Sequence, residues 1–276
     1  MQRIGIIYNP TSTRSQQLSQ ELRQWLEQEY QHNIWWGTSD QARELTELVQ
    51  QFDLLISCGG DGTALRTARL AIPYNIPVLT IGLGRLNFLA ELAPEAMQEG
   101  VAAFLAGKGW YEQRTLLRTT LLRDEQELYT AVALNEMVLS RGDINRIVEI
   151  AVEIDDIPLI TYRSDGVLVS TATGSTAYAL AAGGPVVDPR SKSLVLVPIA
   201  AHLTAVPALV LHEDTIVRLT KLSPHKAALS VDGGDSVPIL QNDVVLVRRS
   251  RQMCMLARVN PPRQLYASFV RGLRRE

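Results

Sequence analysis

Over residues 1–110, short apolar runs alternate with longer stretches in which apolar residues recur every three or four positions. This is the rhythm of an open sheet with helices on its faces. RIGIIY (3–8) reads as the opening strand, and Leu18, Leu22, Trp25 and Leu26 place one apolar face on the helix that follows. The pattern then predicts a short strand at 34–36, a helix over 40–50 and a buried strand over 53–57 that breaks into Gly59-Gly60. A helix over 63–71, a strand at IPVLTIG (76–82) and a helix over 94–106 complete this region. From about residue 111 the helical period gives way to β-rich segments: RTLLRTTLL, ELYTAVALNEMVLS, IVEIAVEID, DGVLVST, LVLVPI, TIVRLT, AALSVDG, DVVLVRR and MCMLARV. Many strands with few helices predict a sandwich, interrupted by one helix at GSTAYALAAG (174–183). The last segment, from Pro261, has a helical pattern again and suits either packing on the first domain or a free amphipathic tail. The expected fold is α/β plus β. A doubly wound α/β domain spans 1–110, with 258–276 packing back on it, and a β-sandwich-like domain spans 111–257.

Composition narrows the function. A 276-residue chain with 46% hydrophobic and 20% charged residues is globular and long enough for two domains. A net charge of -2 argues against a nucleic-acid partner held by bulk electrostatics. No apolar run has the length of a membrane span, and MQRIGIIYNP lacks the pattern of a secretory leader, so the expected location is cytoplasmic, away from any membrane. Cys58 and Cys254 lie far apart, and His32, His202, His212 and His225 fit no zinc spacing. Charge is unevenly placed: residues 248–276 hold eight arginines and one acid, Glu276. They form either a solvated basic face or an electrostatic lure for a polyphosphate-bearing ligand.

Three segments carry candidate chemistry. In CGGDGT (58–63), Gly59, Gly60 and Gly62 allow a tight strand-to-helix turn whose N–H groups, with Thr63, can cradle phosphate. No lysine follows, so this is not a Walker loop, and it is not a dinucleotide fingerprint. A phosphate cradle gains nothing from Asp61 unless the acid takes a proton or holds Mg²⁺ through water; the plain alternative is a helix N-cap. Asn135-Glu136 interrupts an apolar run, where the two groups need partners if buried. On a regular strand they would face opposite ways, so both reach one ligand only at a strand end or bulge; solvation at a strand-end turn is the alternative. Their donors and acceptors suit an adenine edge and a ribose diol. Thr173, Gly174, Ser175 and Thr176 lie at a strand-to-helix junction, fit for a polar ligand or for ordinary capping, and Tyr178 offers either a face for a base or core packing.

Together, GGDGT (59–63), GLGRLNFL (82–89), YEQRTLL (111–117), LNEMVLSRG (134–142) and RSDGVLVSTATGSTAYALAAGGP (163–185) resemble the NAD kinases over nearly the whole chain. The resemblance implies phosphoryl transfer from ATP or polyphosphate, with Mg²⁺ accompanying the donor, to the 2′-hydroxyl of the adenosine ribose of NAD. Asp61 would be the base, with Gly62 and Arg66 beside the nucleotide. Asn135 and Glu136 would hold the adenosine, Thr173, Thr176, Ala177, Tyr178 and Ala181 would line the pocket, and Arg146, Arg163 and Asp165 match further contact positions. A homodimer or homotetramer with sites at subunit interfaces is implied as well. The chain departs from the family pattern at Gly82 and Asn87, which stand where Asn and Gly are usual, at Ala172 and Ala181, and at Gly234. The alternatives are a lipid or sugar kinase of the wider GGDG group and a non-catalytic NAD sensor.

Overall fold

The computed structural model describes residues 3–30, 33–44, 46–84, 87–202 and 207–262. They form two compact units: residues up to Gln113 with those from Cys254 onward, and Arg114–Met253.

The first unit contains β1 (Arg3–Tyr8), α1 (Thr13–Tyr30), β2 (Asn33–Thr38), α2 (Ser39–Glu44), α3 (Thr46–Val49), β3 (Leu54–Gly59), α4 (Asp61–Ala71), β4 (Val78–Gly82) and α5 (Met97–Ala103). Its strands run parallel in the order β2-β1-β3-β4. The last strand of the chain, Val244–Arg258, joins them at its end, where Leu256 pairs with Val78, also in parallel. All six residues of β3 are buried, as expected of a parallel strand covered on both faces. Leu54, Ile56 and Cys58 share a core with Leu22 and Leu26 of α1 and with Met97 and Val101 of α5. Strand order reverses beside β1, so the turns after β1 and β3 flank a switch point, the usual ligand crevice of such sheets. Two predicted helices are divided: 40–50 into α2 and α3, and 94–106 into a 3₁₀ turn (Pro94–Ala96), α5 and a π turn (Phe104–Lys108) containing Gly107 at φ 75°.

In the second unit, β5 (Trp110–Arg123) is followed by β6 (Gln126–Ala133), β7 (Glu136–Arg141), β8 (Val148–Ile154), β9 (Ile157–Ser164), β10 (Gly166–Thr171) and α6 (Tyr178–Ala181). Then come β11 (Leu194–Ile199), β12 (Leu209–Leu211), β13 (Val217–Lys221), β14 (Ala227–Val231), β15 (Val237–Ile239) and β16 (Val244–Arg258). One antiparallel sheet has the order β12-β11-β10-β7-β14-β15. It stacks against a second sheet built from β16, β13, β8 and β9, with β5 and β6 alongside. Met137, Leu139, Val167, Val169 and Leu196 from the first meet Leu117, Val148, Ile150, Leu219 and Val245 from the second in one core. β10 is buried on both faces because Leu168 packs outward against Ala179 of α6 and Val195 and Val197 of β11. That double covering explains why residues 166–169 are apolar without alternation.

The helix predicted at 174–183 is smaller, a 3₁₀ turn (Gly174–Thr176) and the four-residue α6, separated by Ala177 at φ −96°, ψ −127°. The predicted terminal helix and the arginines at 263, 271, 274 and 275 lie outside the described residues.

Candidate active site

At the end of β3, Gly59 is forced by a close approach: a Cβ there would stand 2.4 Å from Oγ1 of Thr63. Gly60, extended at φ −86°, ψ −177°, is the N-cap of α4, so Asp61 is the first helical residue and not the cap. No side chain caps this end, which leaves first-turn N–H groups and the positive pole of α4 for an anion. Oδ2 of Asp61 accepts the N–H of Phe88 at 3.0 Å and Oδ1 that of Leu89 at 3.1 Å. Burial raises the Asp61 carboxyl above the usual carboxylate range, against the pull of those two N–H groups. A carboxylate oxygen has two lone-pair sites, so each retains one for a substrate proton. Gly62 and Arg66 are exposed beside it, whereas Thr63 is buried with its hydroxyl turned toward Gly59. Cys58, just before the turn, is buried and its thiol pushed up to about 12, which leaves it inert at neutral pH.

The segment that holds Asp61 explains two departures from the family pattern. Asn87 Nδ2 donates to the Gly84 carbonyl at 2.7 Å. A Cβ on Gly82 would fall 2.8 Å from that nitrogen and 2.6 Å from the Ala90 Cβ. The carboxamide at 87 therefore fills space that a side chain at 82 would need. The same segment is anchored by Arg258, almost fully buried, whose Nη1 donates to the Leu89 carbonyl (3.3 Å) and Glu91 Oε2 (3.1 Å) and whose Nε donates to Glu112 Oε2 (2.8 Å). Glu91 Oε1 in turn accepts the N–H groups of Val259 and Asn260.

In the second unit the chain leaves β6 at Ala133 and enters β7 at Glu136, so Asn135-Glu136 does sit at a strand end. Both are buried, at 7% and 8% exposure, not solvated. Asp232, at the end of β14, accepts three successive N–H groups, from Leu134 (2.7 Å), Asn135 (2.8 Å) and Glu136 (3.1 Å). The Glu136 carboxylate accepts the N–H of Tyr178, while its Oε2 has no hydrogen-bond partner among the described residues. Burial first, and the Asp232 charge second, push its carboxyl up to about 7.

Gly174 brings the 173–178 segment against this pair; a Cβ there would lie 2.3 Å from the Asn135 carbonyl. Thr171 ties the two together, donating from Oγ1 to Leu134 O (2.6 Å) and accepting the Gly174 N–H (3.0 Å). Buried Thr173 receives Nη1 of buried Arg114 at 3.2 Å. Ser175 turns inward, donating to Ala172 O and accepting from Val187 N–H. Thr176 and Ala177 are half-buried, and Tyr178, at 44%, and Ala181 are exposed, so Tyr178 is no core residue.

Arg146, Arg163 and Asp165 are not brought to that cluster within one chain. Asp165 precedes β10 and pairs with Arg141 at 3.1 Å, whereas Thr171 ends β10, roughly 20 Å away at ~3.3 Å per residue. Arg163 is exposed on β9 and pairs with Glu149 at 3.2 Å, and Arg146 is exposed between β7 and β8. Sequence reasoning missed Asp232, Arg114, Glu91 and Arg258 as site-shaping residues. The Asp-Gly step at 232–233 was the available signal for the first, since such steps mark tight turns.

Residues 31–109 match the ATP-NAD kinase N-terminal domain and residues 134–259 the ATP-NAD kinase C-terminal domain. An NAD kinase of Chloroflexus aggregans is 51% identical over 277 residues, covering 100% of this chain and 99% of that protein. One from Dehalococcoides mccartyi is 38% identical over 265 residues, 96% of this chain and 93% of that protein. The crystal structure of yeast NADH kinase complexed with NADH aligns with a TM-score of 0.84 and 24% identity, over 99% of this chain and 86% of that one. An NAD kinase from Archaeoglobus fulgidus in complex with ATP aligns at 0.75 and 23% identity, over 99% of each. Those two likenesses are of fold. Two domain matches in chain order, and half the residues shared with the Chloroflexus enzyme end to end, show that the chain belongs to the NAD kinase family.

Proposed function

We propose that this protein transfers a phosphoryl group from ATP, or from the end of polyphosphate, to the 2′-hydroxyl of the adenosine ribose of NAD, yielding NADP. The observation that carries the reading is Asp61: a carboxylate with raised proton affinity, fixed by two backbone N–H groups at the uncapped head of α4. Asp61 takes the hydroxyl proton as the 2′-oxygen bonds to the γ-phosphorus and the bond to the ADP oxygen breaks. The glycine turn, Gly59, Gly60 and Gly62, supports the donor's phosphates, with Arg66 one helical turn on. Positioning and charge neutralisation supply most of the catalysis. Asn135 pairs with the adenine edge, Glu136 with the ribose, and Thr173, Thr176, Ala177, Tyr178 and Ala181 form the surrounding wall.

Among the described residues no group of three or more His, Cys, Asp or Glu could hold a metal. In this reading Mg²⁺ comes with the phosphoryl donor. Arg146, Arg163 and Asp165, remote within one chain, reach a nucleotide in this reading from the neighbouring copy of a homodimer or homotetramer. A cytoplasmic location fits the absence, among the described residues, of a helix long and apolar enough to cross a membrane. Matches to both NAD kinase domains leave the lipid- and sugar-kinase readings without support.

The test is purified protein with NAD, Mg²⁺ and either ATP or polyphosphate, with NADP read by a coupled dehydrogenase. Formation of NADP is expected. Tight NAD binding without turnover with either donor would overturn the proposal in favour of a sensor.

A further inference from the structure

In an extended strand, successive N–H groups point to opposite sides, so three in a row share one acceptor only where the backbone curls around it. Leu134, Asn135 and Glu136 do this around the Asp232 carboxylate, at 2.7 to 3.1 Å. The attachment is reciprocal, because the Asp232 N–H donates to the Glu136 carbonyl at 2.9 Å. Asp232 itself has φ 48°, in the left-handed region that Asp tolerates better than most residues, and Gly233 follows at φ 63°. A strained turn at the end of β14 is thus bonded four times to the segment that bears the Asn-Glu pair.

We infer that Asp232 is a positioning residue of the nucleotide site, holding residues 134–136 in the curled conformation that presents Asn135 and Glu136 to the adenosine. The inference rests on the reading that this pair binds adenosine. An acceptor for three N–H groups at once has to be a carboxylate: an amide in its place would direct its NH₂ at one of them. The charge has a second effect. The groups that face Glu136 are Asp232 from the turn, the backbone N–H of Tyr178 from α6, and uncharged Ser170 opposite it on β10. Glu136 is poised near neutrality by burial and by Asp232. A ribose diol donates best to the ionised form, so NAD affinity rises with pH through about 7.

The experiment compares the full-length wild type, Asp232→Asn, Asp232→Glu and Glu136→Gln. It records KM and kcat with Mg-ATP, NAD affinity by calorimetry from pH 5.5 to 8.5, and thermal unfolding. Asp232→Asn is expected to raise KM for NAD roughly 10- to 150-fold, the effect of losing a hydrogen bond to a charged group, with kcat at saturation far less altered. The midpoint of the affinity profile should move to lower pH as the charge beside Glu136 disappears. KM and midpoint both within twofold of wild type would overturn the inference. If Asp232→Asn does not fold, Asp232→Glu decides, because it keeps the charge but displaces the carboxylate by a methylene. A raised KM with an unmoved midpoint supports positioning, and a wild-type KM refutes it. Glu136→Gln separates this inference from the reading beneath it. A wild-type KM in that variant overturns both, whereas a raised KM there alongside a wild-type-like Asp232→Asn overturns the positioning role alone.

Discussion

At the scale of single residues, base and helix cap make opposite predictions for Asp61. Asn matches Asp as a cap, and the cap is Gly60 in any case. Asp61→Asn keeps shape and loses basicity, so turnover should fall by ~10²–10⁴-fold while calorimetric NAD affinity survives; near-wild-type turnover across a Mg²⁺ titration would remove the base. Glu136 predicts a stability effect. Its folded pKa, about 7, lies above its unfolded value, so between them the native state binds more protons than the unfolded chain. Stability of the ligand-free protein should therefore fall as pH rises from about 4.5 through 7, by an amount on the order of 3 kcal/mol from this group. Thermal melts at pH 5.5 and 8 check this, and Glu136→Gln should flatten the difference. Gly82→Asn should destabilise by colliding with Asn87 and Ala90, and adding Asn87→Gly should recover only part of the loss, because the Ala90 Cβ remains. Much of the candidate site was legible because its residues are chemically anomalous where they stand: Asp61 among glycines, Asn135-Glu136 in an apolar run. Asp232 was not, because an aspartate in a glycine turn looks like any other turn residue until its three donors, about a hundred positions earlier, are seen.

Among elements, legibility followed local period. β3 and β10 were readable as short, mostly apolar runs without alternation, and α1 as an apolar stripe. β9 was missed because residues 157–161 are largely exposed and carry no alternation, and because its hairpin turn is Asp155-Asp156, both at positive φ, where Asn-Gly would be the recognisable signal. Asp124-Glu125 makes the same kind of turn between β5 and β6. The helix read at 174–183 is interrupted at Ala177, at φ −96°, ψ −127°, and closed by Gly183 at φ 88°, so the run of helix-compatible residues does not continue as one helix. Arg258 shows how one strand end supports another element's chemistry. It grips Glu112, Glu91 and the Leu89 carbonyl, and the Leu89 N–H holds Asp61. Arg258→Met leaves two buried carboxylates without their cation and should cost about 3–5 kcal/mol in denaturant unfolding. Arg258→Lys keeps the charge but loses the planar fork, and should lower kcat while KM for NAD stays near wild type.

For the whole molecule, an interface-built site makes a prediction that a self-contained site does not. Asn135→Ala and Asp165→Ala should each be poorly active alone. After mixed refolding in equal amounts, a two-fold dimer with shared sites should regain roughly a quarter of its sites, since half the dimers are hybrids with one intact site each. No recovery, in hybrids confirmed by mass, would place the whole site in one chain. The long β16 bears on a different matter, the order in which the protein can be made. Its fifteen residues begin in the sandwich and end beside β4, where Leu256 completes the parallel sheet that β1 started. An emerging chain therefore leaves the Val78 end of β4 without its neighbouring strand, and Glu91 and Glu112 without Arg258, throughout synthesis of the entire second unit. Domains usually fold in order as they leave the ribosome. Here the first unit to appear is the last to close, so a chain halted before residue 254 should present the open Val78 end of β4 to chaperones and proteases however well its sandwich has folded.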